Sequence, residues 1–219
     1  MREKIGTASA TRGRRTRIED LRRQELIDAA HRVFLRHGLS GLTTTRICKE
    51  AGMSQGILTY YFSGKDEVLF AMVRKNNRVL VEQVVENMRT ARTRWDRLNG
   101  IIAGNFPAGH FVQEVALAWL SICAASGQEP RFARLQQLFY ARLTSNVVSA
   151  VVPVLDRDTA VQLSYTIGAQ IDGLWLRRAT DAAMTRDRAV ELCQWTVTTI
   201  IGAETLAALK ADCIGTPGG

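Results

Sequence analysis

The sequence predicts an all-α protein: an N-terminal helix-turn-helix unit followed by a larger helical body. Three observations predict it. Apolar residues recur at helical spacing along the long segments, and no alternating strand pattern separates Gly-rich turns. Only four prolines occur in 219 residues, so little interrupts those helices. The third is the stretch Leu42–Lys65, LTTTRICKEAGMSQGILTYYFSGK, which reads as two short helices joined by a tight Gly-containing turn. That arrangement places a second helix in a DNA major groove.

Residues 1–20 hold few apolar side chains and no helical period, so they read as a disordered basic arm carrying Arg12, Arg14, Arg15 and Arg17. A first helix is expected from Leu21 to His37, with Leu26, Ala30, Val33 and Phe34 on one face. Thr43 suits the N-cap of the next helix, where its hydroxyl can accept from an orphan backbone N–H. Ile47, Cys48 and Ala51 share that helix's inner face, and Gly52 falls where left-handed backbone ends a helix. Ser54 can cap the following helix, with Ile57, Leu58 and Phe62 as its buried side. Gln55, Thr59, Tyr60 and Lys65 are left outside. Gln can grip adenine with two hydrogen bonds, a Thr methyl can meet the thymine methyl, and Tyr and Lys suit phosphate oxygens.

A long helix without Gly or Pro is expected from Lys65 past Met88, a stiff rod joining head to body. Further helices read at Trp95–Gly104, Val112–Ala125, Pro130–Val152, Arg157–Thr180 and Thr185–Lys210. Pro130 fits a first helical turn, and Val152-Pro153 should end that helix. The domain reading is therefore 1–20 arm, 21–65 helix-turn-helix head, 66–212 helical body, and 213–219 disordered tail. Trp175, Leu176, Leu192, Cys193, Val197, Ile200, Ile201, Leu206 and Leu209 exceed what two terminal helices need for one core. Two such helices from each of two copies would bury the excess in a four-helix bundle, which predicts a homodimer.

Charge is partitioned. The chain is +8 overall. Residues 1–65 carry 13 Lys/Arg against 6 Asp/Glu, whereas residues 66–219 carry 16 against 15. Positive charge gathered beside a helix-turn-helix is the footprint of phosphate binding. Four scattered cysteines without a CxxC pair argue against a zinc site and for a reducing, cytoplasmic setting. Cys48, Cys123 and Cys193 sit in apolar surroundings and read as core. No apolar run is long enough to span a membrane, and no secretory leader is visible. His31, His37 and His110 lack partners at ligand spacing, and no nucleophile elbow, phosphate loop or HExxH occurs. No catalysis, metal or cofactor is expected.

The first helix ending at His37-Gly38, then T-x-x-x-I, AGMS, GIL, YYF and a following Lys, resembles the N-terminal domain of TetR-type repressors over about residues 20–70. The resemblance implies phosphate contacts from Thr43, Thr44 and Thr45, base reading by Gln55, Gly56 and Thr59 after the Ser54 cap, and backbone contacts from Tyr60, Tyr61 and Lys65. Thr59 stands where the family commonly has Tyr, and Cys48 where a small Ala is usual. In the body, GNF at Gly104–Phe106, RLQQ from Arg134, RLTSN from Arg142 and IDGLWLR at Ile171–Arg177 are similar to the choline-responsive BetI-type branch.

The resemblance implies a three-helix DNA-binding head at 21–65, a ligand-binding and dimerisation body at 66–212, and a dimeric repressor of a palindromic DNA operator, released by a small-molecule effector such as choline or another quaternary ammonium. Aromatic faces with a nearby carboxylate hold such a cation. Phe106, Trp119, Tyr140, Asp172 and Trp175 are the candidates, with Trp119, Trp175 and Asp172 foremost. Three other readings compete: a TetR-type regulator with an unrelated effector, a sequence-tolerant DNA binder, and a ligand-binding protein whose head no longer binds DNA.

Overall fold

The computed structural model describes residues 6–127, 129–152 and 154–214, with side chains from Arg17 onward except Ala125. Among the described residues the chain forms nine helices and no strand: α1 Gly6–Gly41, α2 Thr44–Ala51, α3 Gln55–Tyr61, α4 Lys65–Thr90, α5 Arg94–Gly104, α6 Gln113–Ser126, α7 Pro130–Val151, α8 Arg157–Thr180 and α9 Arg186–Ala211. Two compact units divide after Lys75, and α4 runs on through the division.

In the first unit, α1 begins well before the expected Leu21, in a stretch of Ala and Arg that favours helix. Residues 1–5 of the expected basic arm lie outside the described residues. The helix breaks at Gly38, whose φ of 65° and ψ of −173° suit a residue without Cβ, and a short turn continues to Gly41. Leu26, Ala30, Val33 and Phe34 are buried as their spacing predicted, with Leu42, Ile47, Leu58 and Phe62 completing the core. Ile57 departs from expectation: it is 38% exposed. A seven-residue helix has one inward stripe, and Leu58 and Phe62 already fill it. The first turns of α4 add Val68, Leu69, Met72 and Val73 to the buried set, and Lys75 pairs with Asp28 of α1. That explains a division ten residues later than the sequence placed it.

In the second unit, α8 packs on α6 and α7, while α5 packs on α7 and α9. Its core runs through Leu98, Ile101, Ile102, Val147, Val151, Leu163, Ile167, Ile171, Cys193 and Val197. Gly104 lets α5 press against α4, since a Cβ there would lie 2.6 Å from Val84 Cγ2 and 2.9 Å from its Cα. Glu129 caps α7 with Pro130 in its first turn, and Asp156 and Thr185 cap α8 and α9. One feature escaped sequence reading: Gly202, at φ 77°, breaks α9 near its last third. At the end of α9, Asp212 and Ile214 pair antiparallel with the Arg92–Arg94 backbone, so Cys213 and Ile214 are held rather than loose. Residues 215–219 of the expected tail lie outside the described residues. No described helix is long and apolar enough to cross a membrane.

Candidate DNA interface and effector site

The head's candidate surface is built by its caps. Thr43 accepts from the Arg46 N–H at 3.3 Å and starts α2. Gly52 ends it in left-handed geometry at φ 65°, with its N–H on the Lys49 carbonyl. Ser54 then accepts from the Ile57 N–H and starts α3. Cap, turn and cap thus lie where the sequence put them, and they fix which side chains of the seven-residue α3 face out.

Thr43, Thr45, Ser54, Gln55, Gly56, Thr59, Tyr60 and Lys65 are exposed, while Thr44 and Tyr61 are half-buried. Gln55 Nε2 donates to Thr45 Oγ1 at 3.0 Å, joining the starts of α2 and α3. The Thr59 hydroxyl bonds back to the Gln55 and Gly56 carbonyls, both at 3.1 Å, so its methyl is what remains to offer a base. Space is open around Gly56, where a Cβ would meet only Ser54 Oγ, 3.8 Å away. Tyr60 stands edge-on to Tyr61, ring centroids 4.9 Å apart. Partial burial, then the nearby Glu19 charge, push the Tyr61 phenol up.

Three features of the head were missed in the sequence. Glu50 on α2 pairs with both Arg32 and Arg36 of α1, and the two guanidiniums hold its carboxyl below the usual range. Arg46 donates to the Gly41 carbonyl at 2.9 Å, pinning the turn before α2. Arg23 lies over the Phe62 ring at 4.8 Å. The first and third join residues far apart in sequence, so no local spacing announces them.

The structure sorts the five body candidates into two groups. Phe106 and Trp175 belong to a buried stack: Phe106 meets Phe111 edge-on at 5.2 Å, and Phe111 meets Trp175 at 4.8 Å. Trp175 Nε1 also donates to the Asn105 carbonyl at 3.2 Å. Trp119, Tyr140 and Asp172 form the second group, on α6, α7 and α8. The Tyr140 hydroxyl donates to Asp172 Oδ2 at 2.5 Å, and Phe139 bridges Trp119 and Tyr140 with centroid distances of 6.2 and 5.5 Å.

Cys123 joins this group rather than the apolar core expected for it. It accepts from Gln136 Nε2 at 3.2 Å, and burial beside the Asp172 charge pushes its thiol up to about 11. Burial also raises Asp172 above the ordinary carboxylate range, against the Tyr140 hydrogen bond that lowers it. Burial first and the Asp172 contact second raise Tyr140. Among the described residues, no cationic side chain forms an ion pair with Asp172: Arg178 instead donates to the carbonyls of Phe111, Asp181 and Ala182. Phe139, Gln136 and Cys123 were not picked out in the sequence, because nothing local separates them from core residues.

Residues 26–72 match the family model for the tetR family of bacterial regulatory proteins, and residues 94–202 match that for the C-terminal part of BetI-type transcriptional repressors. The HTH-type transcriptional regulator BetI of Brucella canis is 38% identical over 165 residues, 75% of this chain and 83% of that protein. Its namesake in Escherichia coli K12 is 35% identical over 164 residues, 74% of this chain and 84% of that protein. In fold, the chain is similar to a protein of Pseudomonas aeruginosa PAO1, with a TM-score of 0.72, 24% identity and coverage of 86% and 94% of the two chains. It is also similar to a protein of Saccharomonospora viridis solved in complex with choline, with a TM-score of 0.70, 20% identity and coverage of 80% and 94%.

Proposed function

The chain belongs to the BetI-type repressors of the TetR family, and from that premise we propose that it works as a homodimer on a palindromic operator and is released by a quaternary ammonium of the choline class. The observation that carries the effector reading is the half-buried Asp172 carboxylate, which lacks a cationic partner among the described residues and sits with Tyr140 and the Trp119–Phe139 rings. A quaternary ammonium neither donates nor accepts hydrogen bonds, so it needs aromatic faces and a counter-charge, and this group offers both. The choline found in the Saccharomonospora viridis protein is consistent with that chemistry. Trp175 and Phe106 act as core packing instead, since both are buried against Phe111 and the indole N–H is on the Asn105 carbonyl.

DNA is bound through α3 in the major groove, with Gln55 and Thr59 toward bases and Thr43, Thr44, Tyr60, Tyr61 and Lys65 toward phosphates. Two copies pair through α8 and α9: of the apolar residues expected there, Trp175, Cys193, Val197 and Leu209 are buried in the chain's own core, while Leu176 and Ile200, with Tyr165 and Trp195, are exposed and form the excess. The protein acts in the cytoplasm, where its DNA is. The test is in vitro selection of duplexes from a random pool with the intact protein, then titration with choline. A palindrome whose affinity falls roughly 5–150-fold with choline supports the reading. Uniform affinity for unrelated duplexes would replace it with sequence-tolerant binding. An operator unmoved by choline would overturn the effector assignment.

A further inference from the structure

The first residues of α2 and α3 are joined by one side-chain hydrogen bond, from Gln55 Nε2 to Thr45 Oγ1 at 3.0 Å. A glutamine on an exposed helix start is ordinarily free to sample many rotamers, and each base contact it makes then costs that freedom. Here the acceptor is a residue of another helix, whose position Thr43 and Gly52 fix by capping α2 at both ends. The bond uses one of the two amide N–H groups. Gln55 keeps its Oε1 and its second N–H, the donor–acceptor pair that adenine takes on N6 and N7.

We propose that Thr45 is a positioning residue for base reading: it holds the Gln55 amide in the orientation that reads adenine, so that specificity at one base step depends on a residue that does not touch the base. The Thr45 hydroxyl accepts from Gln55 and still has its own hydrogen to give to a phosphate. One side chain then links the register of the head on the backbone to the aim of the reading group. This rests on the DNA-binding reading of α3 and refines it, since a phosphate contact alone carries no sequence information.

The test uses duplexes selected from a random pool with the intact protein, and a matched set in which each adenine is replaced by 7-deazaadenine, which lacks the N7 acceptor. Gln55→Ala should abolish discrimination at one adenine step per half-site. Thr45→Val, which keeps shape but removes the acceptor, should lower discrimination at that same step roughly five- to tenfold. In a Gln55→Ala background, Thr45→Val should change discrimination no further, while Thr45→Ser should restore it in the presence of Gln55. Circular dichroism and the salt dependence of binding to unrelated duplexes report whether the variants keep the fold and the phosphate contacts. Equal weakening on all duplexes, additive with Gln55→Ala, would overturn the proposal and leave Thr45 a phosphate contact only. Discrimination untouched by Gln55→Ala would overturn it as well. Failure to select any duplex would remove the DNA reading itself, and the inference with it.

Discussion

Replacing Gly56 with alanine separates what the head needs to fold from what it needs to bind. Gly56 is the second residue of α3, its backbone is helical, and the nearest atom to an added Cβ is Ser54 Oγ at 3.8 Å. The new methyl therefore meets ordinary contact or open space. Glycine in a helix costs about 1 kcal/mol relative to alanine, and less in a first turn. Gly56→Ala should thus raise stability by about 0.5–1 kcal/mol, or Tm by about 1–4 °C for a chain of this size. In the complex the same methyl would stand where α3 approaches the base edges. An extra methyl in a well-packed contact costs about 1–3 kcal/mol, which is a roughly 5–150-fold loss of operator affinity. Differential scanning calorimetry and fluorescence anisotropy on the selected operator measure the two effects separately. A lower Tm would refute the open-space argument. A higher Tm with unchanged operator affinity would remove Gly56 from the interface and place the groove-facing side of α3 elsewhere.

Three further variants test the body. Gly104→Ala would drive a Cβ into Val84, side chain and backbone alike, so it should destabilise by about 1–3 kcal/mol in a denaturant titration. A stabilised variant would mean that α4 can move away freely. Asp172→Asn keeps an acceptor for the Tyr140 hydroxyl but removes the buried charge. Because burial raises the folded carboxyl above its ordinary value, wild-type stability falls as pH rises upward from about 3.8 through the folded value. The Asn variant should lack that fall, equal or exceed the wild type at pH 7 in thermal melts, and lose choline binding by calorimetry. Choline affinity equal to wild type would exclude Asp172 as the counter-charge. Trp195→Glu with Ile200→Glu places charge on exposed residues of α9 and should give monomers by light scattering with the helical content kept. Persistent dimers would move the interface off that face.

The sequence disclosed most where the physics is local. The caps at Thr43 and Ser54 and the left-handed Gly52 each depend on atoms within four residues, so spacing was enough to place them. The ends of α7 were legible for the same reason, through Pro130 and the Val152-Pro153 stretch. Gly202 was not, because a glycine inside an apolar period reads as part of the helix until its φ is known. Ile57 misled because a helix of two turns has too few residues to declare its inner face. In the body, aromatic residues at helical spacing look alike whether they pack or bind. Only the partner of each ring separated Trp175, whose N–H is taken by Asn105, from Tyr140, whose hydroxyl faces a carboxylate.

That separation bears on how the body can influence α4. Asp172 and Trp175 lie three residues apart on α8, close to one helical turn. Trp175 holds the Asn105 carbonyl, and Arg186 of α9 holds the Phe106 carbonyl at 2.7 Å, so the end of α5 is gripped by two neighbouring helices. The residue before Asn105 is Gly104, whose Cα faces Val84 of α4 with no room for a methyl between them. One turn earlier, Gly100 gives its carbonyl to Asn87 of α4 at 3.0 Å. A displacement of α8 at Asp172 would meet α4 through these close contacts, since close-packed interiors pass on strain rather than damp it. The tightness has a cost in tolerance: a Cβ at Gly104 would lie 2.6 Å from Val84 Cγ2, and one at Gly100 3.0 Å from Asn87 Cβ. A side chain at Gly104 should consequently disturb coupling and stability together, whereas the charge at Asp172 can be removed with the packing left in place.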